Sequence, residues 1–464
     1  MAEIAGKGTT HDQPNEPRND RGNDRGNDRV DGPGDALRNG RVDQPPDELP
    51  DELPDERTGY GAGAGSWGAA AGGADAPAPQ TPAQAPEGEP LFAVDPLVVE
   101  SWGGALVVSS PRLRRRLRVQ PWVAQLLLAA RTGLLPGEWE GEAGRREAVR
   151  TLAEAGFLVR EKEPAGEAEP PWDDWGVTAW SLHNRTRDTP FVGARGDDPE
   201  RLRRTREAIT SRPRPSSVRR AATDRILLLP RVRTPLSTPY REVLEARRTH
   251  RDFEEREIGL DLFSDMLHYC FAPLRFADAG EMGVLQLRAP ASGGARHETE
   301  AFVFPLAVRG VRPGLYHYDN IRHGLVPLAA PGPDSPGDAA DPETLRARLE
   351  RLTHGQGFFR HAAFGVLTAA VARRMSWKYR HPRTYKLLLQ NVGHVAQVFS
   401  MTATALGLGA AITGAIRDSE ADALLGLDQP GEFTTFALAC GVPRLGADGL
   451  PLSIRTPREA PERW

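Results

Sequence analysis

Three short stretches and one residue pair hold the side chains of this 464-residue sequence whose types and spacing suit chemistry. The first is Ala246-Arg247-Arg248-Thr249-His250-Arg251-Asp252-Phe253, at the end of a helical pattern. Three guanidinium groups and a hydroxyl so close together suit a phosphate, whose oxygens they grip bidentately. The same arginines also suit a plain helix end, where the macrodipole favours cations. The second stretch, Pro290-Ala-Ser-Gly-Gly-Ala-Arg-His297, is a small-residue loop. Its missing side chains let backbone amides approach a flat or anionic ligand, although most such stretches are only turns. The third, Leu406-Gly-Leu-Gly-Ala-Ala-Ile-Thr-Gly414, runs from a helix end through a short strand, and helix termination alone explains its first glycines. The pair is Lys378-Tyr379. Of 59 basic residues only Lys7, Lys162, Lys378 and Lys386 are lysine, which leaves 55 arginines. A desolvated lysine can lose its proton and an arginine effectively cannot. Against this stands the reading of Lys378 as an ordinary surface lysine.

These stretches need elements to hold them, and from about residue 236 the pattern is that of a compact α+β domain. Helices are expected at 238–248, ending in the paired arginines, and at 258–270. Strands are expected at 301–308, 364–371 and 433–440, with a hairpin at 315–319 and 324–328. A long apolar helix over 383–406 is interrupted by Gln390, Asn391, His394 and Gln397. Polar groups are costly in a bilayer interior, so this helix reads as a core or dimer helix and not a membrane span.

The rest of the chain is of different character. Gly and Pro number 48 and 41, together about 19% against a usual level of about 12%. Much of this excess falls in residues 1–88. There the first 60 residues hold 15 acidic and 8 basic side chains, so the acidity behind the net charge of −4 belongs to this tail. Repeats such as Arg21-Gly-Asn-Asp and Pro46-Asp-Glu-Leu cannot bury enough apolar surface to offset ordering entropy, and 1–88 is expected to be disordered. Gly63, Gly65 and Gly68 match a dinucleotide fingerprint by letter, but no strand precedes them and no helix follows. The tail lacks the apolar stretch of a signal peptide, so a cytoplasmic location is expected. Residues 89–162 read as strand, two helices and strand, a winged-helix-like unit. Its run Arg112-Leu-Arg-Arg-Arg-Leu-Arg118 reads as a solvated face or loop before a DNA contact, because arginine abounds everywhere. Residues 163–235 form a linker and connecting segment. Two cysteines exclude a disulfide scaffold and Cys-rich zinc modules, and no histidine cluster has metal-ligand spacing, so no metal is expected. His317 and His323 flank a turn, and Cys270 and Cys440 sit in apolar patterns; all four read as structural. No Gly-x-Ser-x-Gly, His-Glu-x-x-His or phosphate-loop Gly-Lys-Ser/Thr is present.

In their order and spacing the stretches resemble the nitroreductase-like flavin fold. Arg247 to Phe253 is similar to that family's Arg-Arg-Ser-x-Arg-x-Phe motif, and the Gly-Leu-Gly helix end, Gly414 and Gly426-Leu-Asp428 follow in the expected order. Within the superfamily the resemblance is to the SagB-type dehydrogenases of ribosomal peptide maturation. The residues that carry it are Ser292-Gly-Gly-Ala-Arg-His-Glu-Thr-Glu-Ala-Phe302, Gly314 to Asp319, Lys378-Tyr379, Gly393 to Gln397, and Leu182 to Arg187. It covers roughly residues 180–445. Thr249 replaces the usual Ser, Asn391 stands where an acid is common, and Val398 follows Gln397 in place of Asn.

The resemblance implies FMN at a homodimer interface. Arg247, Arg248, Thr249 and Arg251 would hold its phosphate and ribityl chain, with Arg444 or Arg455 adding a basic contact. Ser292, Gly293 and Gly294 would line the ring, and Gly414 would lie near its N5. Lys378 and Tyr379 would be catalytic, in the oxidation of thiazoline or oxazoline rings of a precursor peptide to azoles. Residues 89–162 would grip a leader peptide or a partner cyclodehydratase, with no role for nucleic acid or membrane. Two alternatives stand beside this one: a flavin- and NAD(P)H-dependent reductase of dehydroamino acids or nitro compounds, and a non-catalytic peptide-binding scaffold.

Overall fold

A computed structural model of the chain describes residues 89–138, 143–162, 171–187, 189, 199–219, 225–231, 233–328 and 341–452. The acidic repeats, the decoy glycines, most of the link at 163–170 and Arg455 lie outside the described residues.

The first elements are β1 (Phe92–Ala93), β2 (Val98–Trp102), β3 (Ala105–Ser110), β4 (Arg115–Val119), α1 (Pro121–Ala129), α2 (Ala143–Glu154) and β5 (Leu158–Val159). Strands β2, β3 and β4 form an antiparallel sheet, and β1 pairs with β5. Pro121 opens α1, where a missing N–H costs nothing and the fixed φ is already helical. Val108, Val123, Leu127, Leu152 and Phe157 share one core cluster drawn only from residues 91–158. The arginine run becomes mostly β4, a strand whose Arg115, Arg116 and Arg118 face water.

The connecting segment is more structured than its composition indicates. It carries α3 (Trp172–Arg185), broken at Gly176 with φ +75°, and α4 (Pro199–Thr210). In α3 the Trp172 ring stacks on Trp180 at 6.1 Å and meets His183 at 4.9 Å. In α4, Arg203 bridges Glu200 and Glu207 one turn to either side, and such pairs support a helix with little apolar content.

The larger part comprises β6 (Leu227–Leu228), α5 (Tyr240–Ala246), α6 (Leu260–Phe271), β7 (Arg275–Asp278), β8 (Val284–Leu287), β9 (Thr299–Pro305), β10 (Tyr316–Asp319), β11 (Gly324–Pro327), α7 (Pro342–Leu352), β12 (Phe364–Val371), α8 (Ala372–Ser376), α9 (Arg383–Ala405), β13 (Gly409–Thr413), α10 (Asp418–Leu425) and β14 (Glu432–Gly441). An antiparallel sheet runs β13-β14-β12-β9-β10-β11-β6. Every residue of β9 and β12 is buried, Glu300 included, as expected where helices cover both faces of the sheet. Helices α6 and α9 join one core cluster with the sheet, and α7 and α10 join another.

Helix α5 ends at Ala246, two residues short of the expected 248, so the paired arginines leave the helix. The edge of the sheet captures them: Thr249 pairs with Ala410, and the His250 N–H donates to the Ala410 carbonyl at 2.9 Å. Helix α9 matches its expected span within a residue, and no described helix is long and apolar enough to cross a membrane.

Candidate functional site

The small-residue loop is held in a conformation that side chains resist. Gly294, Ala295 and His297 all have positive φ, at +61°, +51° and +44°, which for the two non-glycines costs free energy that surrounding bonds must offset. Those bonds are present. Ser292 Oγ accepts from the His297 N–H at 3.0 Å and donates to Glu298 Oε2 at 3.1 Å. The Gly293 N–H donates to Asn391 Oδ1 at 3.2 Å, and Arg296 Nε donates to the Gly294 carbonyl at 2.8 Å. Asn391, where the resemblance leads one to expect an acid, therefore ties the loop to α9. Burial, with Arg288 next in weight, pushes the His297 imidazole down to about 3. The neutral ring donates its Nε2 proton to the Gln286 carbonyl at 2.8 Å.

Lys378 and Tyr379, which follow α8, lie against this loop. A Cβ on Gly294 would stand 2.5 Å from Tyr379 Oη and 3.2 Å from Lys378 Nζ, and one on Gly293 would stand 2.7 Å from Leu387. Lys378 Nζ sits 5.3 Å from the centre of the Tyr379 ring. The structure thus brings Ser292, Gly293 and Gly294 together with Lys378 and Tyr379 as one surface. Gly294→Ala should cost about 1 kcal/mol, since the backbone is left-handed there. It should also push the phenol aside, read as a lower melting temperature together with an altered Tyr379 environment.

Arg374 is the anchor of this surface, and sequence reasoning did not single it out. It is only 4% exposed. It pairs with Glu300, donates from Nη1 to the His297 carbonyl at 2.9 Å, and donates from Nε to the Ser216 carbonyl at 2.8 Å. Burial alone would raise the Glu300 carboxyl, but Arg374 and His317 outweigh it and hold the acid at about 2. The segment after α4 grips the same region: Trp377 Nε1 donates to the Arg212 carbonyl at 3.1 Å and Arg380 to Ser211 Oγ at 2.7 Å. One more arginine in an arginine-rich chain gives no signal; only burial distinguishes Arg374.

The arginine motif forms a second group. Arg247 and Arg248 are half-buried and Arg251 is exposed, and none has a carboxylate partner among the described residues. Thr249 lies beside Ala410 at one end of β13. Gly414 lies just past the other end, about 13 Å away at strand rise, and a Cβ there would touch the Phe436 ring at 3.3 Å. The buried His250 Nδ1 has no hydrogen-bond partner, and burial followed by Arg247 and Arg248 lowers its pKa. The Arg444 N–H donates to the Asp252 carbonyl at 3.1 Å, which sets that residue beside the motif.

The two groups meet α9 at different heights. The loop touches Leu387, Asn391 and His394, whereas Thr238, just before α5, donates to the Ala405 carbonyl at 3.3 Å. From Asn391 to Ala405 the helix rises about 20 Å. Within one chain, Arg247, Arg248, Thr249 and Arg251 are not gathered with Ser292, Gly293 and Gly294. The remaining sequence candidates are structural. His317 donates to Glu300 at 2.8 Å, and His323 contacts Ser264, Tyr318 and the Pro230 carbonyl. Burial pushes the thiols of Cys270 and Cys440 up. Lys386 donates to the His183 carbonyl.

Residues 244–442 match the Nitroreductase family, and this region carries the nitroreductase-like fold. The trifolitoxin-processing protein TfxB of Rhizobium leguminosarum bv. trifolii is 27% identical over 173 residues, 37% of this chain and 44% of TfxB. The chain therefore spans less than half of that relative's length. A Methanocaldococcus jannaschii protein whose name places it among nitroreductases is 29% identical over 179 residues, 39% of this chain and 80% of its own length. Among solved structures, the E. coli microcin synthetase McbBCD complex with truncated pro-MccB17 bound is similar at a TM-score of 0.34 and 16% identity, over 57% of this chain and 91% of that one.

Proposed function

We propose that the chain is an FMN-dependent dehydrogenase that oxidises thiazoline or oxazoline rings of a ribosomal precursor peptide to azoles, working as a homodimer in the cytoplasm. The observation that carries this reading is the packing of Tyr379 Oη and Lys378 Nζ on Gly294, which sets two proton-bearing groups on the glycine loop. Similarity to a trifolitoxin-processing protein supports it. The residues fit FMN. Three guanidinium groups without carboxylate partners among the described residues suit its phosphate, and the bare Gly293 and Gly294 backbone suits a flat ring.

Aromatising an azoline removes a carbon-bound proton and a hydride. When bound, FMN would supply the hydride acceptor. The chain supplies the base: Tyr379 or Lys378 takes the proton, and the cationic partner of the pair eases ionisation of the phenol. Arg374 and Asn391 keep the loop in place, and Leu387 packs on Gly293.

The separation of the two groups along α9 favours a dimer. If two copies cross on α9 in a two-fold arrangement, the N-terminal half of one helix faces the C-terminal half of the other, and each chain's loop meets its partner's arginines. The outer face of α9 suits this, with exposed Tyr385 and Leu389 and with Gly393 open where a Cβ would project. Residues 89–162 would hold the leader peptide or a cyclodehydratase. Helix α3 links them to α9, through Asn184 to the Pro111 carbonyl and Arg185 to Glu100 on one side, and through Arg383 to the Thr186 carbonyl on the other. Purification with FMN tests the base of this reading. A yellow dimer retaining one flavin per chain is expected; a protein that stays colourless after reconstitution, or monomeric when loaded, contradicts it.

A further inference from the structure

Beside the loop, Arg214, Gln286, Arg296, His297, Arg374 and Trp377 line a small open cleft. Two of its cationic candidates are spent elsewhere. Arg374 is committed to Glu300 and two carbonyls, and His297 is neutral with its pKa near 3. Arg214 and Arg296 remain, and neither has a carboxylate partner among the described residues. Arg296 is only 6% exposed, its guanidinium lies 5.2 Å from the centre of the Trp377 ring, and its buried Nη2 has no hydrogen-bond partner. Arg214 reaches in from the exposed segment after α4, held by a 2.7 Å bond from Nη2 to the Val284 carbonyl. Buried donors are almost always satisfied, and a guanidinium with a second one nearby calls for negative charge as well as an acceptor. A water supplies the acceptor only.

We propose that this cleft is an anion site for a carboxylate, presented by the substrate peptide as an acidic side chain or as its chain terminus. The peptide as carrier rests on the proposed function; the anion site does not. Its place relative to the reacting groups follows from one bond. Arg296 Nε holds the carbonyl of Gly294, the residue on which Tyr379 Oη and Lys378 Nζ pack. A carboxylate gripped by Arg296 and Arg214 would therefore anchor a peptide next to the position where its ring reacts.

Acetate is the probe for the site itself, and tryptophan fluorescence is the readout, because Trp377 underlies Arg296. Titrating sodium acetate against sodium chloride of equal ionic strength should give a saturable change in the wild-type protein. That change should vanish in Trp377→Phe and Arg296→Gln and need at least tenfold more acetate in Arg214→Gln, an exposed position whose variant folds even if the buried one does not. A change that never saturates, or that is equal in Arg214→Gln, means solvation by water and overturns the site. For the carrier, azoline peptides are compared with each acidic side chain amidated (Asp→Asn or Glu→Gln) or with the C-terminus amidated. The modification that removes the bound carboxylate should raise KM about tenfold in the wild type and have no effect in Arg214→Gln. If acetate binds and neither modification matters, the site takes an adventitious anion only and the substrate assignment is overturned. If no peptide is turned over, the proposed function fails while the acetate titration still decides the site.

Discussion

Lys378→Ala and Tyr379→Phe should each keep the FMN absorbance spectrum and lower azoline turnover by about a hundredfold or more, the usual scale for a positioned acid or base. The expectation follows from where the side chains sit. Both polar tips lie against Gly294, whereas the arginines proposed to grip the phosphate form a separate group, so removing the tips leaves that proposed grip intact. Lys378→Arg sharpens the result. It preserves the positive charge but leaves no group at position 378 able to give up a proton. If lysine serves as a cationic neighbour to a phenolic base, Lys378→Arg retains much of the activity and Tyr379→Phe does not. If lysine is itself the base, Lys378→Arg fails along with Lys378→Ala. Unchanged rates in Lys378→Ala and Tyr379→Phe would remove the pair from the chemistry altogether.

Arg374→Met should be the most destabilising single change in the region. It leaves Glu300 buried without its cation, and breaking a buried pair from one side typically costs about 3–5 kcal/mol. For a protein of this size that is a fall of roughly 3–6 °C in melting temperature. The acid range gives an independent reading. The Glu300 carboxyl is held at about 2 in the folded protein, below its ordinary 4.5. Its contribution to stability is therefore full above pH 4.5 and is lost as the pH falls from there through 2. In Arg374→Met burial dominates, the carboxyl is pushed up, and this stretch of acid sensitivity should disappear from a plot of melting temperature against pH. Adding Glu300→Gln to Arg374→Met should recover part of the loss, because the buried side chain at 300 then carries no charge. A single variant as stable as the wild type would mean that Arg374 does not anchor the loop.

The parts of this fold legible in the sequence are those whose burial is uniform along the chain. The apolar stretches 301–304 of β9, 364–367 of β12 and 436–440 of β14 are legible because helices cover both faces of the sheet, and α9 reads from length and apolar pattern. Helices α3 and α4 were obscured by glutamate, proline and arginine, since their stability comes from ring stacking and charge pairs between neighbours. The hairpin of β7 and β8 and the short helix α10 likewise lack a strong periodic signal, whereas α7 does carry one, with Leu345, Leu349 and Leu352 at helical spacing behind the Asp341 cap. At the site, the types of Lys378, Tyr379 and Ser292 to Gly294 were legible, but their meeting was not. It depends on the left-handed turn at 294–297 and on Arg374, a contact between segments far apart in sequence. The arginine motif showed the opposite limit. Its residues were evident, but the helix was expected to continue through them, and pairing with β13 at the sheet edge overrode that local preference.

The mass of an azoline-containing precursor peptide, after incubation with the FMN-loaded protein in air and without NAD(P)H, decides whether the ring is oxidised. The proposed chemistry predicts the loss of two hydrogens for each ring converted. An unchanged mass, or a gain of two hydrogens that requires NADPH, would contradict it, and the gain would identify a reductase on the same fold.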